Sequence, residues 1–254
     1  MSNKIPIALQ MYTLRDDAEK DFAGTIKQVA ALGYYGVELA GYSGHSAAEV
    51  KQILEDNNLK VVGGHVGYDQ ILGDPEKVIE EYSAFGAKYV AIPWIGEDKR
   101  QTLDDYKKLG ATFSELGAKL KPAGITLCYH NHAFEFEKFG GDEYGFDALF
   151  AAADPSLLQV EMDTYWVKKG GEEPDAYLRK YANRVPLVHL KDMGEDGDFR
   201  PVGEGTIDYP SLFTAAEEAA GTEYYIVEQD VCRTATPLES VAISIGNLKK
   251  WGKL

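Results

Sequence analysis

The stretch ITLCYHNH at Ile125–His132 has the features that decide the fold. It begins with apolar and β-prone residues, has the length of one strand and carries two histidines near its carboxyl end. Seven other runs of strand length occur along the chain, separated by longer segments with apolar residues at i, i+3 and i+4. We therefore predict eight strands, at Ile5–Leu14, Gly36–Ala40, Lys60–Val66, Tyr89–Trp94, Ile125–His132, Leu158–Thr164, Val185–Lys191 and Tyr224–Gln229.

Segments with helical periodicity separate these strands. Three of them begin at a capping residue: DFAGTIKQVAALG from Asp21, SAAEVKQILEDN from Ser46 and DPEKVIEEYSAFGA from Asp74. Asp74 and Asp208 each stand within two residues of a proline that suits the first turn of a helix. The alternation of strand and helix, repeated eight times, favours an α/β (β/α)8 TIM barrel. A doubly wound sheet is less favoured because no GxGxxG follows the first strand. No Pro/Ser-rich linker divides the chain, so we predict one domain over residues 1–254.

The composition argues against several classes of partner. The chain carries 41 acidic and 26 basic residues, and its formal net charge is -15. This charge repels nucleic acid and anionic lipid, and no basic run offsets it, so we expect neither as a partner. No signal-peptide pattern and no apolar run of about 18 residues is present. The two cysteines, Cys128 and Cys232, form no CxxC motif and no disulfide framework, so we expect a cytoplasmic protein.

Polar residues cluster at the carboxyl ends of the predicted strands, where TIM barrels place their active sites. Four of the five histidines stand there, and His45 is the exception. Residues two apart on a strand point the same way, so the polar residues of one strand end share a wall of the barrel. The residues at these ends are Glu38, His65, Trp94, His130, His132, Glu161, Asp163, His189, Lys191, Glu228 and Asp230.

This polar set has the composition of a metal site. Burying so many charges is costly unless they are paired or coordinate an ion. Imidazole nitrogens together with carboxylate oxygens suit Mn, Co, Zn or Fe better than Ca or Mg. The sequence therefore predicts one divalent metal at the barrel mouth, and one of the two histidines in Ile125–His132 is a candidate ligand.

Several motifs resemble those of the xylose isomerase-like TIM-barrel superfamily, and more narrowly its sugar phosphate isomerase/epimerase group, to which inosose dehydratases and ketose 3-epimerases are related. They lie on strands 2 and 5 to 8 and in the loops that follow, so the resemblance extends over effectively the whole chain. The motifs are GYYGVELAG at Gly33–Gly41, YHNHAFEF at Tyr129–Phe136, VEMDTYWVKKGG at Val160–Gly171, VHLKD at Val188–Asp192, PVGEGTIDYPSLF at Pro201–Phe213 and IVEQD at Ile226–Asp230.

The resemblance implies a ligand set for the metal. Asp163, His189 and Glu228 stand at three of the positions that hold the ion in such proteins. The fourth position, a carboxylate on strand 5 of epimerase-like relatives, is occupied here by His130. We predict His130 as the fourth ligand, with Glu161 or His132 as the alternative. This replacement removes one of the two facing glutamates that symmetric C3 epimerisation uses, whereas one-sided proton transfer remains available.

Four residues are candidates for catalysis: Glu228, Glu161, His132 and Lys191. Glu161 is one layer deeper than Asp163, so its alternative role is to orient a ligand histidine. His132 would act as an acid or base because an unperturbed imidazole titrates near neutrality; the alternative is a structural histidine. Lys191 would hold an oxyanion or a substrate hydroxyl, or form a salt bridge to Asp192 or Glu161.

Five further residues are candidates for substrate binding. Glu38 and His65 would reach the far end of the substrate, or simply cap the barrel mouth with polar groups. Trp94, Trp166 and Tyr12 would stack on a sugar ring, although aromatic residues at strand ends also serve in packing.

The leading functional hypothesis is a metal-dependent, sugar isomerase/epimerase-like enzyme. It would abstract a proton alpha to a carbonyl of a sugar, sugar phosphate or cyclitol through a metal-stabilised enediolate. The alternative on the same scaffold is a keto-sugar or inosose dehydratase or lyase that eliminates water or an alcohol. Two further hypotheses are an endonuclease IV-like phosphodiesterase, which the charge disfavours, and a non-catalytic sugar-binding protein. The expected partner is a small carbohydrate, and the resemblance also allows a homo-oligomer.

Overall fold

Eight parallel strands surrounded by helices form a nearly closed barrel in the computed structural model, which describes residues 4–254. The strands are β1 (Ile7–Gln10), β2 (Gly36–Leu39), β3 (Lys60–Gly64), β4 (Tyr89–Ile92), β5 (Thr126–His130), β6 (Leu158–Asp163), β7 (Leu187–Leu190), β8 (Asp192–Met193), β9 (Phe199–Arg200) and β10 (Tyr224–Val227). The barrel order is β3-β2-β1-β10-β7-β6-β5-β4, and β8 and β9 form a separate antiparallel pair. At the seam between β3 and β4, His65 forms a parallel bridge with Ala91, and the Val66 N–H donates to the Ala91 carbonyl over 2.9 Å.

Each predicted strand contains one barrel strand, so the predicted TIM barrel is confirmed, but every strand is shorter than predicted. The largest difference is at Ile5–Leu14, where Met11–Leu14 is a 3-10 helix. The chain turns there because the side-chain carbonyl of Gln10 accepts the N–H of Tyr12 over 3.0 Å. The fifth strand ends at His130, so His132 lies in the loop that follows rather than on the strand.

Four helices begin at the capping signals in the sequence. The side chains of Asp21, Ser46, Asp74 and Asp208 each accept a backbone N–H in the first turn of the helix that they cap. No helix within residues 4–254 is long and apolar enough to cross a membrane. The helices are α1 (Arg15–Lys20), α2 (Phe22–Leu32), α3 (Ala47–Asp56), α4 (Tyr68–Gly73), α5 (Pro75–Phe85), α6 (Leu103–Leu120), α7 (Gly145–Ala152), α8 (Thr164–Lys169), α9 (Pro174–Lys180), α10 (Tyr209–Ala215) and α11 (Pro237–Lys250).

A small apolar cluster inside the barrel, which we call the apolar floor, determines where the polar site begins. Side chains alternate along a strand, so the residue two positions after a residue of the floor also points into the barrel. On four of the strands, the residues in this position are Gln10, His130, His189 and Glu228. All four are buried. A larger apolar cluster fills the space between strands and helices. The floor consists of Ala8, Val62, Tyr89, Ala91, Cys128, Leu187 and Ile226.

The outer layer depends on a close approach at Gly117 of α6. A β-carbon at this position would overlap the backbone carbonyl of Leu157, whereas one at Gly246 of α11 would meet nothing within 4 Å. We expect Gly117→Ala to lower the free energy of unfolding by about 1–3 kcal/mol, because the helix must move away from the backbone. Gly246→Ala should raise it by about 0.4–1 kcal/mol, since alanine loses less backbone entropy on folding. Urea denaturation measures the free energy of unfolding of both variants. Equal changes in the two would contradict the close approach at Gly117.

Candidate metal centre and active site

The structure brings together the four residues predicted as metal ligands. His130, Asp163, His189 and Glu228 each offer one ligand atom, and these atoms all lie within 4.8 Å of one another. They come from β5, β6, β7 and the end of β10, and none is more than 4% exposed. The barrel wall therefore gathers two imidazoles and two carboxylates around one point on the mouth side of the apolar floor.

The donor set fits a divalent transition metal. Oδ2 of Asp163 is buried and accepts no hydrogen bond of good geometry, although the ammonium of Lys191 lies 3.2 Å from it. A buried carboxylate oxygen without a hydrogen bond is costly, and a bound cation removes that cost. Two nitrogen and two oxygen donors suit Mn, Fe, Co or Zn.

One nitrogen of each ligand histidine faces the cluster, and the other faces a carboxylate below. His130 has Nε2 3.6 Å from Oδ2 of Asp163 and Nδ1 2.9 Å from Oε1 of Glu161. His189 has Nδ1 2.9 Å from Oε2 of Glu228 and Nε2 2.8 Å from Oε2 of Glu38. A carboxylate that accepts the second N–H of a ligand histidine orients the ring and raises its basicity. His130 would therefore bind through Nε2 and His189 through Nδ1.

Glu161 and Glu38 form the layer beneath the ligands. Oε1 of Glu161 lies 2.6 Å from Nε2 of His65 and 3.2 Å from Nε2 of His189, in addition to its contact with His130. Oε2 of Glu38 accepts the side-chain N–H of Gln10 over 2.7 Å. Both carboxylates are completely buried. Of the alternatives for Glu161, this geometry favours orienting the histidines over serving as the fourth ligand.

Burial and charge act in opposite directions on the ionisable groups of the cluster. Burial raises the pKa of Asp163 to about 7 and lowers that of His130 to about 3. Burial also opposes charge on Glu228, but the Lys191 ammonium and the His189 imidazole outweigh it and hold the pKa of Glu228 well below its ordinary value. Such a site is suited to a cation, because a cation favours the charged carboxylates and the neutral imidazole together.

Lys191 contributes a buried positive charge to the site. Its ammonium is 1% exposed and lies 3.0 Å from Oε2 of Glu228 and 2.7 Å from Oδ1 of Asp230, in addition to its ion pair with Asp163. These three carboxylates outweigh burial and raise the pKa of Lys191 above its ordinary value. The predicted alternative partners, Asp192 and Glu161, are not among its ion pairs. Lys191 is therefore charged and fixed beside two of the candidate ligands.

A cavity of about 470 Å³, which we call the metal-site cavity, opens above the cluster. Its volume is in the range of small-molecule sites. Of the residues predicted to contact substrate, Tyr12, His65 and Trp94 line it. The candidate catalytic residues on its wall are His132, Lys191 and Glu228.

Five predicted site residues do not line this cavity: the candidate ligands Asp163 and His189, and also Glu38, Glu161 and Trp166. Glu38 and Glu161 lie in the buried layer below, and Trp166 lies behind His132, with the two rings 5.1 Å apart between centroids. His132 stacks on Phe134 at 5.4 Å, and burial lowers its pKa to about 2. Burial therefore opposes the charged form of the His132 ring, which favours the structural alternative over a role as an acid or base.

Two charged residues to which sequence reasoning assigned no role also line the cavity, Arg15 and Asp230. The Arg15 guanidinium donates to the backbone carbonyls of Tyr12 over 2.8 Å and Asp230 over 3.0 Å, and it stacks on the Tyr12 ring. Asp230 pairs with Lys191. The IVEQD motif, which ends in Asp230, could have indicated this residue as part of the site. No motif indicated Arg15, because the apolar run before it predicts a first strand that continues to Leu14.

Comparison with known proteins assigns the chain to a family. The family described as "Xylose isomerase-like TIM barrel" matches residues 26–251. An inosose dehydratase of Clostridium beijerinckii is 24% identical over 84% of this chain and 83% of its own length. A sugar phosphate isomerase/epimerase from Parabacteroides distasonis has a similar structure, with a TM-score of 0.84 at 23% identity over 98% of this chain and 94% of that one.

A second similar structure is that of a probable 3-DHS dehydratase from Bacillus anthracis. Its TM-score is 0.72 at 11% identity, over 96% of this chain and 99% of that one. At such identities the structural likenesses establish the fold alone, whereas the family match extends over most of the chain. The eight-stranded barrel and the family match lead to one conclusion: the chain belongs to the xylose isomerase-like TIM-barrel family.

Proposed function

We propose that this protein is a divalent-metal-dependent enzyme that removes a proton from the carbon next to a carbonyl of a sugar, sugar phosphate or cyclitol. Aldose-ketose isomerisation is the leading reaction. The observation that supports this most is the convergence of His130, Asp163, His189 and Glu228 within 4.8 Å at the base of an open cavity. Mn, Co, Zn or Fe would occupy this cluster.

The bound ion would act as a Lewis acid that polarises the substrate carbonyl and stabilises negative charge on its oxygen. Glu228 is the ligand carboxylate on the cavity wall, so we assign it as the base that takes the proton. Lys191 lies against Glu228 and also reaches the wall, so its ammonium is placed to bind a hydroxyl of the substrate. Glu161 and Glu38 keep the two ligand histidines in orientation from below.

Elimination of water or an alcohol is the second candidate: the cavity wall favours it over epimerisation, and one relative supports it. The wall contributed by β5 and the loop that follows it presents His130 and His132 rather than a carboxylate. The acidic groups that line the cavity, Glu228 and Asp230, both lie at or just after the end of β10. Epimerisation at one carbon requires proton exchange on both faces, whereas elimination needs a carboxylate base on one face only. The match to an inosose dehydratase, which extends over 84% of this chain, supports the same reaction class.

Proton exchange with a panel of keto sugars and cyclitol ketones tests the proposal. We expect the protein loaded with Mn²⁺ to exchange the proton next to the carbonyl of at least one of these ketones for deuterium in D₂O, as measured by NMR. Conversion to an aldose would identify an isomerase, and an ultraviolet-absorbing enone would identify a lyase. Glu228→Gln should slow exchange by roughly 10²–10⁴-fold, the usual contribution of a general base.

The matched control is Glu204→Gln, because Glu204 does not line the metal-site cavity. This variant should exchange protons at the wild-type rate. Absence of exchange with every ketone in the panel, after loading with each of the four metals, would refute the proposed reaction.

A further inference from the structure

A second cavity of about 570 Å³, which we call the outer cavity, adjoins the metal-site cavity. Pro93 and Trp94 line both cavities, so the two cavities adjoin each other at these residues. The remaining wall of the outer cavity comes from the start of α4 and from the loop after β4, which contains the short 3-10 helix Glu97–Lys99. The outer cavity therefore lies at the same end of the barrel as the metal cluster, where such barrels bind substrate.

Trp94 stands at the junction of the two cavities. Its side chain is 52% exposed, more than any other large apolar residue within residues 4–254. Two other exposed apolar residues, Tyr12 and Val231, line the metal-site cavity together with Trp94. Several exposed apolar side chains gathered within a polar rim mark a site of interaction. The flat face of an indole suits a ring with an apolar face, and the polar side chains around it suit a ligand that also carries hydroxyls.

The charges around the outer cavity disfavour an anionic ligand. Asp69, Glu97 and Asp98 contribute three carboxylates, whereas Lys99 contributes one ammonium that lies 3.4 Å from Oδ2 of Asp98. This excess of negative charge repels a phosphate. Carboxylates accept hydrogen bonds from hydroxyls, and the amide of Gln70 both donates and accepts them.

We propose that the outer cavity binds a second pyranose ring, joined by a glycosidic bond to the ring that lies over the metal cluster. The substrate class is then a neutral glycoside of disaccharide size rather than a free monosaccharide or a sugar phosphate. The position of the first ring rests on the proposed function. Trp94 stacks between the two rings, and Gln70 and Glu97 bind hydroxyls of the second ring.

Equilibrium binding to the purified protein tests this assignment. The probes are glucose and four glucose disaccharides of different linkage (cellobiose, maltose, laminaribiose and trehalose), titrated by saturation-transfer difference NMR. At least one disaccharide should bind about tenfold more tightly than glucose, which corresponds to about 1.4 kcal/mol. Gln70→Ala and Glu97→Ala should each remove most of this gain and leave glucose binding unchanged. Both side chains are exposed, so neither substitution should impair folding.

Gln28→Ala is the matched control, because Gln28 is exposed on α2 and does not line either cavity. It should keep the full preference for the disaccharide. The assignment is overturned if no disaccharide binds better than glucose, or if the gain survives in both variants. It is also overturned if glucose 6-phosphate shows the gain and the two variants remove it, since the outer cavity would then bind a phosphate. Binding needs no turnover, so a failure of proton exchange leaves this test intact.

Discussion

Asp163→Asn is expected to empty the metal site and to reduce kcat/KM for proton exchange on the order of 10³-fold. This factor follows from several kcal/mol of Lewis-acid stabilisation, at about 1.4 kcal/mol for each factor of ten in rate. Asparagine keeps the shape of the side chain and is as good a helix cap as aspartate. Because Oδ1 of Asp163 accepts the N–H of Trp166 over 2.9 Å at the start of α8, the variant should fold normally.

Metal content per chain after dialysis separates the role of Asp163 as a ligand from a general effect of charge in the cavity. Asp230→Asn is the matched control: Asp230 lines the same cavity and pairs with Lys191, but it is not one of the candidate ligands. This variant should retain the wild-type metal content. If Asp163→Asn retained it as well, Asp163 would not be a ligand.

Lys191→Met is expected to destabilise the metal-free protein by about 3–5 kcal/mol. The substitution keeps the length of the side chain but leaves the buried carboxylates of Asp163 and Glu228, and the carboxylate of Asp230, without their ammonium. Removing one partner of a buried charge set costs this much because the remaining charges stay desolvated and repel one another. Denaturation in urea with a chelator present measures the loss.

Added Mn²⁺ or Zn²⁺ should raise the melting temperature of Lys191→Met by more than that of the wild type, because the ion then replaces the missing positive charge. Lys88→Met is the control, since Lys88 is half exposed and pairs only with Glu223 at the surface. It should change stability by about 1 kcal/mol or less. Equal losses in the two variants would show that the ion pairs of Lys191 contribute little to stability.

The fold could be predicted because its determinants are local. Apolar runs of strand length, helix caps such as Ser46 and Asp74, and their regular alternation are properties of neighbouring residues. The ends of the strands were predicted less well. Met11–Leu14 continues an apolar run, but the Gln10 side chain turns the backbone into a 3-10 helix, and apolar composition does not distinguish the two conformations.

The candidate site could be predicted only in part. Its ligand residues stand at strand ends, and every strand of a parallel barrel ends at the same mouth, so proximity followed from the topology. The role of Glu38 did not follow. It lies on β2, 151 positions before His189 in the chain, yet the two side chains meet inside the barrel at 2.8 Å. The positions of the Trp166 and His132 side chains likewise depend on how the loops fold over the barrel.

The sequence by itself determined the barrel, the identity of the donor groups and the end of the barrel at which they gather, because periodicity and strand order are encoded in short segments. The tertiary structure decided which nitrogen of each histidine faces the cluster, which carboxylates lie beneath it and which acids hold Lys191. It also joined the two cavities at Trp94. These features depend on the stagger of the closed barrel and on the paths of its loops, which set distances between atoms far apart in the chain.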